Sequence, residues 1–387
     1  MLTKRVNSLS PSLTIAISTL ANELKAEGKD IISFSAGEPD FGTPEIIKNE
    51  AKKALDADFT RYTAVPGTPQ LQKAVVEKLK RDNNLNYKPS QIITSNGAKH
   101  SLFNLFQALI EDGDEVIIGA PYWVTYPELV TYSGGKSIII QTTDKDGFKI
   151  TAKKLKEAIT KKTKMLILTT PSNPTGSVYT KTELQEIADV LKDTDIFVAS
   201  DEMYEKLVYD VEFTAAASIS EDMYKRTITI NGLSKSVAMT GWRFGYLASP
   251  NDELISAMKK LQSQSTSNIN SITQQAAIVA LLGKADADIE MMRKEFQKRR
   301  DLAVKLFNAS SKLSVLKPDG AFYLFVNIQK VTNDSMKFCK QLLEEKGVAL
   351  VPGVGFGSEG YFRFSFATDE KNIKEGIARI IAFCDNY

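Results

Sequence analysis

The stretch RTITINGLSKSVAMTGWRFGY, Arg226–Tyr246, sets a β-branched run directly against small residues with one lysine among them. Thr227–Ile230 reads as a buried strand. Lys235 follows it, flanked by Ser234 and Ser236, and Arg243 comes eight positions later. A lysine there is either a solvated side chain or a positioned amine with room for something bulky on its nitrogen. What ends beside it in space decides between the two.

Working outward, five runs of the same kind precede it: QIITS (91–95), DEVIIG (114–119), KSIIIQ (136–141), KMLILTT (164–170) and DIFVASD (195–201). Most are separated by helical patterns. That alternation predicts βαβ units and a mainly parallel sheet covered on both faces. Such sheets bind ligands at the carboxyl ends of their strands. On the N-terminal side, residues 12–28 have helical spacing and end at Gly28, a C-cap glycine. Residues 30–44, DIISFSAGEPDFGTP, read as a short strand running into a Gly/Pro loop. Thr43 before Pro44 and Thr68 before Pro69 each mark a helix start.

On the C-terminal side, residues 271–306 read as one long, highly charged helix. LSVLKPDGAFYLFVNI, a helix near 336–345, GVALVPG, YFRFSFA and a final helix follow. These predict a smaller α+β unit. The expected division is a large domain over 46–285 and a small domain built from 1–45 and 286–387. There is no low-complexity tract and no repeat.

Composition narrows the chemistry. The 387 residues carry 49 Lys+Arg against 47 Asp+Glu, a net charge of +2. This gives no reason to expect a nucleic-acid partner or an acidic membrane. The two cysteines, Cys339 and Cys384, form no C-x-x-C pair, and His100 is the only histidine. A thiolate or histidine metal cluster is therefore not expected, and acid–base work falls to Lys, Tyr, Asp or Glu. The N-terminus has no secretory pattern, and no apolar run approaches the ~20 residues of a membrane span. The cytoplasm is the expected location.

Each strand end offers a different group. Gly97, Ala98 and Lys99 open a helix straight from a strand, which is a phosphate seat or a plain turn. Trp123, after a proline turn, stacks on a planar ligand or packs in the core. Asn173, between two prolines, donates to an oxygen or holds an Asx turn. Asp201 ends a central strand, where a carboxylate needs a cationic or N–H partner unless it caps a helix; Tyr204 is three residues on. Seat, stack, donor, acid and amine together suit pyridoxal 5'-phosphate. Lys235 would form a Schiff base, Asp201 would hold the pyridinium N–H, and the helix end with Arg243 would hold the phosphate.

On SAGEPDFGTP, RYTAVPG, NGAKHSLFNLF, PYWVTYPE, PSNPTGSVY, SDEMYEKLVY, NGLSKSVAMTGWRFGY, PDGAFYLF, VPGVGFG and FRFSFA, the chain resembles the class-I aspartate aminotransferase family, most of all its bacterial branch. The stretches span nearly the whole chain in the family's order. The resemblance implies an α/β, fold-type I pyridoxal-phosphate-dependent transferase. Its large domain has a mainly parallel sheet sandwiched by helices, with a smaller α+β domain beside it. It further implies that Lys235 holds the cofactor and moves the proton, and that Asp201 meets the ring nitrogen. Tyr204 and Asn173 meet the phenolic oxygen, and Trp123 stacks on the ring. Gly97, Ala98, Lys99 and Arg243 lie at the phosphate. Tyr62 reaches the phosphate of a neighbouring subunit, which implies a homodimer with shared active sites. Arg363 and Gly37 meet the substrate α-carboxylate, with Trp123 and Asn173 also beside the substrate.

The implied reaction is a ping-pong transfer from L-aspartate to 2-oxoglutarate, with an aromatic-amino-acid transaminase or a β-lyase as alternatives. Lys235 must be neutral to act as a base, and the cofactor ring and Arg243 are expected to depress it. Three positions depart from the family. Gly232 stands where many relatives have a phosphate-binding serine. Residues 261–270 contain no arginine for a distal carboxylate. Ser10 stands where prephenate-accepting members have a lysine. GGKS at 134–137 is no P-loop, because Val130 replaces its first glycine. GVGFG at 353–357 lacks the last glycine of a dinucleotide motif and reads as a mobile active-site loop.

Overall fold

In a computed structural model, which describes residues 2–387, the chain folds around two main sheets. The helix Leu13–Ala26 comes early, capped by the Ser12 hydroxyl, which accepts from Ile15 N. It ends in Gly28 at φ +84, the left-handed position a glycine takes without strain. Strand β1 (Ile32–Ser33) follows.

The larger sheet holds β2 (Ile92–Asn96), β3 (Glu115–Ala120), β4 (Lys136–Gln141), β5 (Thr163–Thr169), β6 (Phe197–Asp201), β7 (Thr227–Gly232) and β8 (Phe244–Ala248). Their spatial order is β2-β8-β7-β6-β5-β3-β4. From β7 to β4 every pairing is parallel. Alternate residues enter different cores. Val116, Ile118, Met165 and Ile167 join one apolar cluster, and Ile117, Leu166 and Leu168 join another. Both faces are dry, which is why these strands read as continuous apolar runs.

The remaining strands are β9 (Ser314–Val315), β10 (Tyr323–Asn327), β11 (Val348–Ala349), β12 (Val351–Pro352) and β13 (Tyr361–Ser365), of which all but β11 form the smaller sheet. Its order is β12-β13-β10-β9, all antiparallel, while β11 pairs parallel with β1. GVALVPG is thus divided between two sheets. One apolar cluster contains residues of both main sheets, from Ile93 and Val116 to Leu324 and Phe362. Among the described residues, no helix is long and apolar enough to cross a membrane.

Three expectations need correction. Phe244–Ala248, within the opening stretch, is a seventh strand, inserted antiparallel between β2 and β7. The helix expected over 271–306 is two helices, Ser271–Leu281 and Asp286–Asn308. Gly283, at φ +79, breaks it in a conformation that side chains avoid. Thr43 does not cap the helix Glu45–Asp56, whose N-cap is Pro44 with no side-chain bond. Its hydroxyl instead donates to Ala238 O at 2.7 Å and accepts from Trp242 Nε1 at 3.0 Å, tying this segment to the loop after Lys235.

In β8, a Cβ built on Gly245 would collide with Gly97 C and Ala98 N, so the helix Ala98–Leu109 starts directly against this strand. Gly245→Ala is expected to cost ~1–3 kcal/mol through overpacking. The measurement is the denaturant midpoint, and an unchanged midpoint would mean that the helix start can move off the strand.

Candidate active site

The cavity between the two sheets has a volume of ≈ 260 Å³. Gly37, Ala98, Lys99, Trp123, Asn173, Asp201, Tyr204, Lys235, Arg243 and Arg363 all line it. Of the residues picked from the sequence, Gly97 lies just behind this wall and Tyr62 lies elsewhere, 91% exposed.

Lys235 sits past the end of β7, and its Nζ donates to Gly37 O. Burial pushes its amine down to about 8, against the Glu38 carboxylate; Arg363 and Arg243 add to the depression. Burial therefore leads, not Arg243. Asp201, the last residue of β6, is 7% exposed. Its Oδ2 accepts from Tyr126 OH at 2.8 Å and its Oδ1 from Met203 N at 3.2 Å. Burial still raises its carboxyl above the usual range. A carboxylate so placed has acceptor capacity left over and favours a cationic N–H donor.

An end suited to an anion is built from the β2 turn. Gly97, at φ +83, joins Asn96 to a helix that starts at Ala98. The first N–H groups of such a helix have no intrahelical acceptor. A Cβ on Gly97 would run into the Arg243 guanidinium, so glycine permits that approach. Arg243 Nη1 donates to Thr240 O at 2.7 Å and Nη2 to Asn96 O at 3.3 Å. Lys99 Nζ lies 4.9 Å from the Trp123 ring centre, and burial lowers its amine, followed by Arg243. Gly232 has no space for a side chain, because a Cβ there would lie 2.7 Å from Phe244 O. That is a steric reason for the missing serine.

At the opposite wall, Arg363 of β13 is 2% exposed. Nη1 donates to Asn173 Oδ1 at 3.0 Å and Nη2 to Ser35 O at 2.7 Å, while Nε has no partner among the described residues. The guanidinium lies over the Tyr323 ring at 4.4 Å and near Phe356, within the GVGFG segment, at 5.3 Å. No carboxylate among the described residues answers this buried cation, so the site can take one from a ligand. Tyr204 and Tyr323 share a hydrogen bond of 2.9 Å.

Sequence reading missed several lining residues. Tyr126 and Tyr323 lay inside the stretches PYWVTYPE and PDGAFYLF, and Tyr126 follows Trp123 by three positions, a spacing that signals a shared helical face. Ser12, Thr14 and Ile15 also line the cavity. They are remote in sequence from every strand end, so no local pattern pointed to them. At Ser10, the backbone N–H donates to Glu128 Oε2 at 2.8 Å, and no cation stands at that position.

This α/β fold with a lysine, an acid and an arginine around one cleft defines a class. The profile of the aminotransferase class I and II family matches residues 29–380. The chain belongs to that family and is an aminotransferase. It is 46% identical over 389 residues to the aspartate aminotransferase of Bacillus sp. strain YM-2, covering 99% of each chain. It is 46% identical to an aspartate/prephenate aminotransferase of Cereibacter sphaeroides, covering 97% of this chain and 96% of the other. A solved structure of Thermus thermophilus aspartate aminotransferase with maleate superposes with a TM-score of 0.95 at 39% identity, over 99% of both chains.

The Lys235 amine reacts when neutral, so its acylation in the unliganded protein is expected to rise with pH through about 8. Ordinary lysines rise near 10.4. Mass spectrometry of the labelled peptides separates the two, and a surface-like profile at position 235 would rule out a desolvated amine.

Proposed function

We propose that the chain is a pyridoxal 5'-phosphate-dependent aminotransferase that moves the amino group of L-aspartate to 2-oxoglutarate, giving oxaloacetate and L-glutamate. The observation that carries this is the pairing of a desolvated amine at Lys235 with a buried carboxylate at Asp201 on one cavity. The donor set fits the cofactor. Arg243 with the Ala98 and Lys99 N–H groups would hold a phosphate at the Gly97 turn, and Trp123 would flank a ring. Asp201 would hold the proton of a ring nitrogen, and Asn173 and Tyr204 would meet a ring oxygen. When bound, the cofactor supplies an aldehyde carbon and an electron sink for the substrate's α-carbon.

The side chains then have separate tasks. Lys235 would hold the cofactor covalently; once displaced by the substrate amine, its Nζ would take the α-proton and return it to the cofactor's former aldehyde carbon, across the nitrogen. Its depressed pKa leaves neutral amine available near pH 8. Arg363 would fix the α-carboxylate by its fork, a geometry that a lysine does not reproduce. With Asn173 Oδ1 turned to Arg363, the Asn173 NH₂ remains free to donate.

For the distal carboxylate, Lys99 is the cavity cation left without another task, and the Ser12 and Thr14 residues line the same space. The named relatives support a dicarboxylic substrate. Ser10 offers no second cation for prephenate. We read residues 46–285 as the cofactor-binding domain and 1–45 with 286–387 as the smaller one. The seven-stranded sheet lies within the first, and β1 and β9–β13 lie within the second. A homodimer accounts for the exposure of Tyr62 alongside Ile46 and Leu55, with Tyr62 reaching the partner's phosphate seat.

Borohydride reduction followed by peptide mapping is expected to find the cofactor on Lys235. Lys235→Ala is expected to leave the circular dichroism intact and to abolish the aspartate half-reaction, followed by absorbance. A chromophore attached elsewhere overturns the assignment. Pyruvate released without an acceptor oxo acid would indicate a lyase instead.

Lys99→Met is expected to raise KM for aspartate about tenfold or more, the loss of one charge-assisted contact, while sparing alanine. Equal losses for both donors would place Lys99 solely at the phosphate.

A further inference from the structure

The chain's only histidine sits at the turn that forms the anion-accepting end, and neither the family resemblance nor the assignments above give it a task. His100 is the third residue of the helix Ala98–Leu109. Its side chain turns back toward the strand, and Nδ1 accepts from Asn96 N at 3.2 Å. Asn96 closes β2, and its carbonyl accepts from Arg243 Nη2 at 3.3 Å. One residue therefore has its N–H held by the imidazole and its C=O held by the guanidinium.

We infer that His100 is a positioning residue for the phosphate seat, its neutral imidazole fixing Asn96 so that the Ala98 and Lys99 N–H groups and Arg243 converge on one anion. The inference rests on the cofactor reading above. The connection it fixes is a single residue long. Gly97 carries no side chain to cap the helix, and its own N–H goes to Ser95 O at 2.7 Å. The N–H groups of His100 and Ser101 return to Gly97 O at 3.0 and 3.3 Å, leaving Ala98 and Lys99 as the first-turn donors. A side chain at the third helical position reaching back to an upstream N–H is the logic of a capping box, moved one residue outward.

The arrangement fixes the tautomer. An Nδ1 that accepts must carry a lone pair, so the proton is on Nε2 and the ring is neutral. Burial lowers the imidazole's pKa and so favours that form. An imidazolium would set N–H against N–H and release Asn96.

Asparagine can offer its Oδ1 at the δ position of the side chain, where Nδ1 stands in histidine, and it does not titrate. The test therefore compares His100→Ala and His100→Asn with the wild type in untagged protein, where one histidine gives one set of imidazole ¹⁵N signals. The wild type is expected to show the Nε2–H tautomer near neutral pH. Titrated into cofactor-free protein, pyridoxal 5'-phosphate is expected to bind His100→Ala about tenfold more weakly, the loss of a hydrogen bond that orders the donors. Pyridoxal, which lacks the phosphate, is expected to bind both alike. His100→Asn is expected to recover wild-type affinity for the phosphorylated form.

An Nδ1–H tautomer overturns the inference. So does equal weakening for both aldehydes, or His100→Ala binding as tightly as wild type. Failure of His100→Asn to recover affinity at an unchanged denaturant midpoint overturns it as well. A wild type that attaches neither aldehyde at Lys235 overturns the cofactor reading itself, and the inference with it.

Discussion

Two groups that water would keep charged are largely withdrawn from it at neighbouring strand ends: the half-buried Lys235 amine beyond β7 and the buried Asp201 carboxylate at the end of β6. Desolvation moves their pKa values toward each other, the amine down and the carboxyl up. Neither shift is relieved by a direct ion pair, since Lys235 donates to Gly37 O while Asp201 accepts from Tyr126 OH and Met203 N. Both are therefore poised for a ligand that brings its own charge and its own covalent partner. The rest of the fold keeps them dry and apart.

The seven-stranded sheet does this through its one reversed strand. β8 lies between β2 and β7, so the turn after β2 and the loop carrying Lys235 flank the same strand. Arg243 precedes β8 at φ +58, and Gly245 lets the helix start at Ala98 rest on its backbone. The loop between Lys235 and Arg243 is pinned from outside by Thr43, and Thr240 Oγ1 donates to Glu38 at 2.8 Å. The anion-accepting end and the amine thus share one rigid element. Their spacing is set by the sheet and by the pinned loop that carries Lys235.

That sharing also explains what could be read from the sequence. The six parallel-type runs announced themselves because strands buried on both faces are continuous in apolar residues. β8 did not, because FGYLA follows the lysine loop directly, with no α-helix between it and β7. The groups at strand ends were legible as types: a lysine among small residues, an acid after a central strand, a glycine opening a helix. Their partners were not. Tyr126 acts on Asp201 across 75 positions, and Tyr323 on Tyr204 across 119. The N-terminal segment reaches the cavity only through tertiary packing that no periodicity encodes. Gly283 interrupts a helical pattern that continues on both sides of it, and only its positive φ marks the break.

Substrate and cofactor would meet different parts of the chain, and this division constrains the chemistry. The groups suited to holding the cofactor stand at the ends of β2, β3, β5, β6 and β7 in the larger sheet. The buried guanidinium suited to a substrate carboxylate stands on β13 of the smaller one, supported by Ser35 O and by the Tyr323 and Phe356 rings. Asn173 reaches across by accepting from Arg363, and Tyr204 does so by bonding Tyr323, while both line the same cavity as Asp201 and Lys235. On the reading proposed here, an amino acid is oriented by a cation on one sheet while its α-carbon is presented to an amine on the other. The fork on Arg363 and the amine of Lys235 then fix two points of the substrate. A third point, the side chain, would fall toward Lys99 and the Ser12–Ile15 segment, so that specificity would be set by residues that the proton transfer does not use.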